Sequence, residues 1–247
     1  MIFFTRLKKP KKLNNRSLTP SFTLIELLIV IIIIGIIISS VSFNLTPDKF
    51  NLAVDNLIKY IRFTQSLALK DDKYQPFSSN KNSNYENNLS RYWYKKWWKF
   101  SISATNNNEY FFEIFSDMNL NNNDDVNECA KNPLTNKYLK GNYNSSTASK
   151  DTNLSYFNIK YISYIYNSQE KKITSNNRLN IYFDNYGNVY KKLYNDQIFK
   201  TTHSLGSNIL TSDLKIKICS DENCNSNKNC RLIIITPNGF SYKSFCF

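Results

Sequence analysis

The chain has 247 residues, with 32 Lys and Arg against 19 Asp and Glu, one His and five Cys. The lone His203 reads as a solvated loop residue, and no Ser/His/Asp or Cys/His cluster accompanies it, which argues against a hydrolase. No glycine-rich phosphate loop is present, since Gly187 and Gly206 fall in turn-like contexts.

Residues 1–21 carry Arg6, Lys8, Lys9, Lys11, Lys12 and Arg16 and no acid, a leader that the positive-inside bias keeps cytoplasmic. Ser21-Phe22-Thr23-Leu24-Ile25-Glu26 follows, and then an apolar run from Leu27 to Ile38. From Phe22 to about Phe43 the segment is predicted to be a helix that crosses a hydrocarbon core of roughly 30 Å. A lone carboxylate at that depth is costly and calls for a functional role. Without the six leader bases, 26 Lys and Arg face 19 Asp and Glu, so the remaining chain has a net charge of +7.

Phe22-Thr23-Leu24-Ile25-Glu26 resembles the processing and assembly signal of type IV pilins and type II secretion pseudopilins. The resemblance implies cleavage between Ser21 and Phe22 by a prepilin peptidase, and methylation of the new amino group on Phe22. It has Ser21 where the family usually has Gly. Glu26 then becomes the family's charged fifth position, where it would pair with the N-terminal ammonium of a neighbouring subunit and set filament register. Other pilins or pseudopilins and an inner-membrane assembly platform are the implied partners. The implied location is the bacterial inner membrane, single-pass, with the N-terminus cytoplasmic and the head periplasmic.

A second helix is predicted from Thr46, as N-cap, and Pro47, at the first helical position, to about Leu69. Phe50, Val54, Leu57, Ile61 and Ala68 give it a stripe for burial. Joined to the first helix it would form one nearly continuous stalk. Ile61 to Leu69 resembles the end of this helix in FimT/GspH-like pseudopilins. The segment 74–91 is polar and reads as a loop. Tyr-, Phe- and Ile-rich runs then predict strands at Trp97 to Ala104, Glu109 to Ser116, Tyr156 to Tyr166 and Leu179 to Asp184. Further strands are predicted at Asn188 to Tyr194, Leu214 to Cys219, Arg231 to Thr236 and Phe240 to Phe247. Asn185-Tyr186-Gly187-Asn188 and Thr236-Pro237-Asn238-Gly239 are hairpin turns. The expected organisation is a leader (1–21), a transmembrane and assembly helix (22–43), an amphipathic stalk (44–72) and a β-rich head (73–247). The expected fold is α+β and pilin-like, a long N-terminal helix packed on an antiparallel sheet.

Three constellations bear on chemistry. Asp117, Asn119, Asn121, Asn123, Asp125 and Glu128 fall at positions one, three, five, seven, nine and twelve of a calcium loop, with Asn122 in place of the usual Gly. The alternative is a polar loop between strands. Among the cysteines, folding about the Pro237–Gly239 turn brings Cys230 near Cys246, leaving Cys219 with Cys224. The rival set is Cys219 with Cys246 and Cys224 with Cys230, and a zinc site from all four is a third reading. Cys129 is left over. Finally, Trp93, Lys95, Lys96, Trp97 and Lys99 alternate bases with aromatics, as single-stranded nucleic acid binding would need or as a core strand would show. The expected function is a non-enzymatic filament subunit of a secretion or pilus machine. The alternative is a DNA-binding subunit of a DNA-uptake filament.

Overall fold

The structure is a computed structural model that describes residues 23–42, 48–74, 83, 90, 92–121, 123–142, 144–193, 209–224 and 229–246. The chain divides into two units, Met1–Pro47 and Asp48–Phe247. In the first, helix α1 spans Leu24–Ser42. Thr23 caps it: its hydroxyl accepts from the Glu26 N–H, while the Glu26 carboxylate accepts from the Thr23 N–H and hydroxyl, both at 3.0 Å. This reciprocal pair is a capping box, and it fixes the helix start within a run of poor helix formers.

The expected membrane-spanning helix is not found. Among the described residues no helix is long and apolar enough to cross a membrane. The 19 residues of α1 reach about 28 Å, and its last turn is Ser39-Ser40-Val41-Ser42. Its uninterrupted apolar part, Leu27 to Ile38, covers only about 18 Å, well short of the roughly 30 Å of a hydrocarbon core. The single-pass inner-membrane topology and the transmembrane half of the expected fold are therefore withdrawn.

In the second unit, helix α2 spans Lys49–Lys70. Its N-cap is Asp48, not Thr46: the Asp48 carboxylate accepts from the Phe50 and Asn51 N–H groups at 3.1 and 3.3 Å. Thr46 and Pro47 lie outside the described residues. The predicted stripe is buried, with Val54, Leu57 and Ile61 at 0% exposure. Each such side chain contributes about 1.5–3 kcal/mol.

Two antiparallel sheets form the head, where a single sheet was expected. The first has the order β2-β1-β5-β6, from β1 (Trp98–Ala104), β2 (Tyr110–Phe115), β5 (Leu179–Phe183) and β6 (Val189–Leu193). The second has the order β4-β3-β7-β8-β9, from β3 (Tyr161–Tyr166), β4 (Gln169–Lys172), β7 (Leu214–Cys219), β8 (Cys230–Ile235) and β9 (Ser241–Phe245). The strand expected from Tyr156 begins only at Tyr161, because Leu154–Phe157 forms a 3-10 turn capped by Asn153. Strand β4 was not expected, since Gln-Glu-Lys-Lys has no strand propensity; it is fully exposed and exists by pairing with β3.

The core lies between α2 and the inner faces of both sheets, with Phe100, Ile102, Phe112 and Ile181 from one and Ile162, Ile216, Ile218 and Ile233 from the other. The two sheets also meet at their turns. Val189 N–H donates to the Pro237 carbonyl at 3.0 Å. The Gln65 amide on α2 donates to the Gly187 carbonyl at 3.1 Å and to the Asn238 carbonyl at 3.0 Å. Gly187 and Gly239 have φ of +83° and +82°. A Cβ on Gly239 would stand 2.1 Å from Gln65 Nε2 and 2.6 Å from the Gly187 carbonyl oxygen. Gly239→Ala is therefore expected to destabilise the head by about 2–3 kcal/mol, and Gln65→Ala by about 1 kcal/mol, in urea unfolding. A neutral Gly239→Ala would show that the turn relaxes freely.

Candidate functional site

Helix α1 is apolar around its whole circumference, and its large side chains from Leu24 to Ile38 are 43–83% exposed. Ile and Leu occupy every face, so no stripe directs it onto one neighbour. Glu26 is the one charge, seated in the first turn where the helix dipole favours a carboxylate. Ser21 and Phe22, the expected processing site, lie outside the described residues. So do His203 and most of 74–91.

The predicted calcium loop is folded on itself. Glu128 Oε1 accepts from the Met118 and Asn119 N–H groups at 2.9 and 3.0 Å. Asn119 and Asn121 both donate their side-chain amides to Asp125 Oδ2, at 3.0 and 2.9 Å. Asn121 and Asn123 N–H groups donate to the side-chain oxygens of Asn119 and Asn121. Asp117 is buried at the loop's entry. A calcium cage needs six to eight converging oxygens. Here amide N–H groups converge on Asp125, and the carboxylates of Asp117, Asp125 and Glu128 do not form a metal-sized cluster. In this conformation the segment has the hydrogen bonds of a polar loop between strands.

Beneath this loop is a charged cluster that sequence reasoning missed. Glu113 sits in the middle of β2, opposite Ser101, on the face away from the main core. The segment that follows β2 returns alongside its outer edge. Ala130 N–H donates to the Ile114 carbonyl at 2.8 Å, and Ile114 N–H donates to the Leu139 carbonyl at 3.0 Å. Glu113 is fully buried and lies 3.0 Å from Arg178 Nη1 and 3.9 Å from Lys140 Nζ. Lys140 also contacts the Asp124 carboxylate and carbonyl. Burial, helped by Asp124, pushes the Glu113 carboxyl up to about 8 against the pull of Arg178 and Lys140. Burial acts to raise Asp124 too, but Glu113 and Lys140 hold it down to about 2. Of the two carboxyls, Glu113 is thus the one pushed towards its protonated form and Asp124 the one held charged. The signal in the sequence was a single Glu inside Tyr-Phe-Phe-Glu-Ile-Phe, an apolar strand with no polar face to put it on. Cys129 lies beside this cluster; burial, with Glu113 adding, pushes its thiol up to about 12, which disfavours the thiolate.

The aromatic and basic run packs inward. Tyr94, Lys96, Trp97 and Lys99 are buried. Trp97 packs against Tyr190 in a tilted pair, centroids 4.7 Å apart, and meets Trp93 edge-on at 5.7 Å. Lys99 Nζ stands 4.0 Å above the Phe115 ring. Trp93 and Lys95 are half-buried at the margin. The run forms a second apolar cluster with Tyr182, so its ring faces are occupied by one another.

The four C-terminal cysteines are bonded as Cys219–Cys224 and Cys230–Cys246, with Cα atoms 5.4 and 5.7 Å apart. The rival pairing does not occur. The β8–β9 register, with Arg231 opposite Phe245 and Ile235 opposite Ser241, carries Cys230 to Cys246. No family model, no curated protein and no solved structure matches this chain.

The Glu113 cluster gives a pH dependence with a definite sign. Between its ordinary value of 4.5 and about 8, Glu113 keeps its proton in the fold but loses it on unfolding, so stability falls as pH rises through that window. Asp124, lowered from 3.8 to about 2, acts below it: its contribution is lost as pH falls through that range. Urea unfolding from pH 5 to 8 should show the folding constant falling by up to about tenfold per pH unit. Glu113→Gln should flatten that slope; an unchanged slope would place the proton elsewhere.

Proposed function

We propose that this chain is a structural, non-catalytic subunit of a pilin-like filament, in which α1 packs against α1 of neighbouring subunits and the head is displayed outward. The observation that supports this most is the division of apolar surface. The head completes its own core, every member of which comes from Phe50 onward. Helix α1, in a separate unit, exposes apolar side chains on all sides. A helix apolar all round needs burial all round, and a bundle of like helices supplies it. The resemblance of Phe22 to Glu26 to the pilin signal points the same way, with cleavage before Phe22 by a prepilin peptidase and other pilin-like subunits as partners.

Glu26 then has two roles of different kinds. It caps α1 through Thr23, and in the filament it pairs with the ammonium of a neighbour's Phe22. Glutamine can serve the cap but not the charge pair.

The full chain, co-expressed with a prepilin peptidase, should yield sedimentable filaments visible by electron microscopy. Ile31→Lys or Ile34→Lys should abolish them, because a buried unpaired charge in the bundle costs several kcal/mol. Glu26→Gln should preserve the helicity of α1 yet reduce filament yield at least tenfold. If the Lys variants assemble like the parent, the filament reading fails. If only Glu26→Gln does, the carboxylate is a cap and nothing more.

A further inference from the structure

The sulfurs of Cys219, Cys224 and Cys230 all lie within 4.8 Å of one another, and the fourth, that of Cys246, is bonded to Cys230. Two disulfides thus meet with three of their four sulfurs close together. The origin is the register: Cys219 on β7 is directly opposite Cys230 on β8, and Cys230 is carried to Cys246 by the β8–β9 pairing. Cys224 folds back from the following loop, through a left-handed φ of 52°. Cys219, Cys230 and Cys246 are buried, with Cys224, Tyr161, Leu232 and Ile234 packed around them.

We propose that this cluster is a redox-gated metal site, which in its reduced form binds one thiophilic divalent cation, Zn2+, through Cys219, Cys224, Cys230 and Cys246. Zinc takes four thiolates tetrahedrally at about 2.3 Å, which sets the sulfurs about 3.8 Å apart. The three sulfurs are already inside 4.8 Å. The Cβ atoms of a disulfide stand about 3.5–4.5 Å apart. Rotation about χ1 therefore carries each bonded pair to that separation with the backbone in place. Three of the four cysteines are buried against Leu232 and Ile234, and four protein ligands would leave no open position, as in a structural site.

The chemistry balances with a dithiol as reductant. Each disulfide accepts two electrons and two protons from one dithiol, which closes to its own disulfide. The two steps leave four thiols. Binding of Zn2+ then releases four protons and forms four Zn–S bonds. Oxidation by a disulfide-class oxidant reverses both steps, and the cation leaves. In either state β8, β9 and the loop after β7 stay tied together, covalently or through the metal.

The test uses the full chain reduced by a water-soluble phosphine. The phosphine takes up oxygen from water as each S–S bond becomes two thiols, and it competes little for the metal. Co2+ is titrated as the spectroscopic probe, followed by Zn2+. One Co2+ per chain is expected, with the visible spectrum of a tetrahedral ion and thiolate charge transfer, and Zn2+ should displace it. Zn2+ should raise the melting midpoint of the reduced chain, because binding is coupled to the fold. Cys129→Ser should change none of this, and Cys224→Ser should weaken Co2+ binding at least tenfold. The oxidised chain should bind nothing. The absence of a cobalt spectrum after reduction would overturn the proposal. So would a spectrum unchanged by Cys224→Ser, or one with no rise in melting midpoint, which would mean that an unfolded chain is binding the ion.

Discussion

The head depends on one buried stripe. Val54, Leu57 and Ile61 on α2 have no exposed surface, and residues of both sheets pack on the same core cluster. Neither sheet is large, and the outermost strands of the second, β4 and β9, have exposed positions. What holds the sheets at a fixed relation is the helix between them, reinforced at one point by polar contacts. The Gln65 amide spans the turn of one sheet and the turn of the other. Arg62, one turn earlier, donates to the Ser241 carbonyl at 3.2 Å and covers the Phe240 ring. At the far end Asp71 accepts from the Trp98 indole at 2.9 Å, which ties the end of α2 to the start of β1. Tyr60 donates to Asp151 at 2.6 Å and accepts from Asn132 at 2.9 Å, while its ring packs on Phe112 of β2. The helix thus carries apolar burial on one face and specific polar pins at its margins. The first supplies energy and the second supplies position.

This division explains what was legible in the sequence. The stripe from Phe50 to Ala68 has helical spacing, and the apolar runs that became β1, β2, β5, β7 and β8 have strand composition. In both cases burial and local propensity agree, and the boundaries came within a few residues. The two glycine turns were legible because a positive φ leaves few choices of residue. The register of β8 with β9, and through it the Cys230–Cys246 pair, followed from the turn alone. Strand β4 was not legible, because Gln169 to Lys172 pair with β3 for reasons that lie in β3. The second sheet was not legible either, since strand order is set by packing across α2 and not by any one segment.

The candidate sites divide along the same line. Two carboxylates stand alone in apolar sequence, Glu26 and Glu113. The first drew attention because its neighbours match a known signal, yet in this structure it is exposed and satisfied by Thr23. The second matches no signal, yet it is fully buried and is the group most strongly displaced from ordinary behaviour among the described acids. The difference lies in context beyond the local run. Lys140 and Asp124 come from the segment after β2 and Arg178 from the residue before β5, and only the fold brings them to Glu113. The aromatic run shows the converse. Trp93 to Lys99 has the composition of a nucleic-acid platform, but Tyr182 and Tyr190 from β5 and β6 arrive to fill its ring faces.

The C-terminus shows how covalent and non-covalent ties divide the same task. Strand β9 is a sheet edge, with an unpaired side that invites association with another strand. Its α2-facing side is held by Lys243 on Asp55 at 2.7 Å and by Arg62 on Ser241. Cys246, just past the strand, adds a covalent tie to β8 beside the five residue pairs that join the two strands. Surface ion pairs are worth at most about 1 kcal/mol each, whereas a cross-link can contribute about 2–4 kcal/mol. The Cys230–Cys246 cross-link is therefore a stronger tie on this edge than the surface ion pair. Whatever changes the state of that cross-link acts first on β9, and through Arg62 and Gln65 it acts on the clamp that aligns the two sheets.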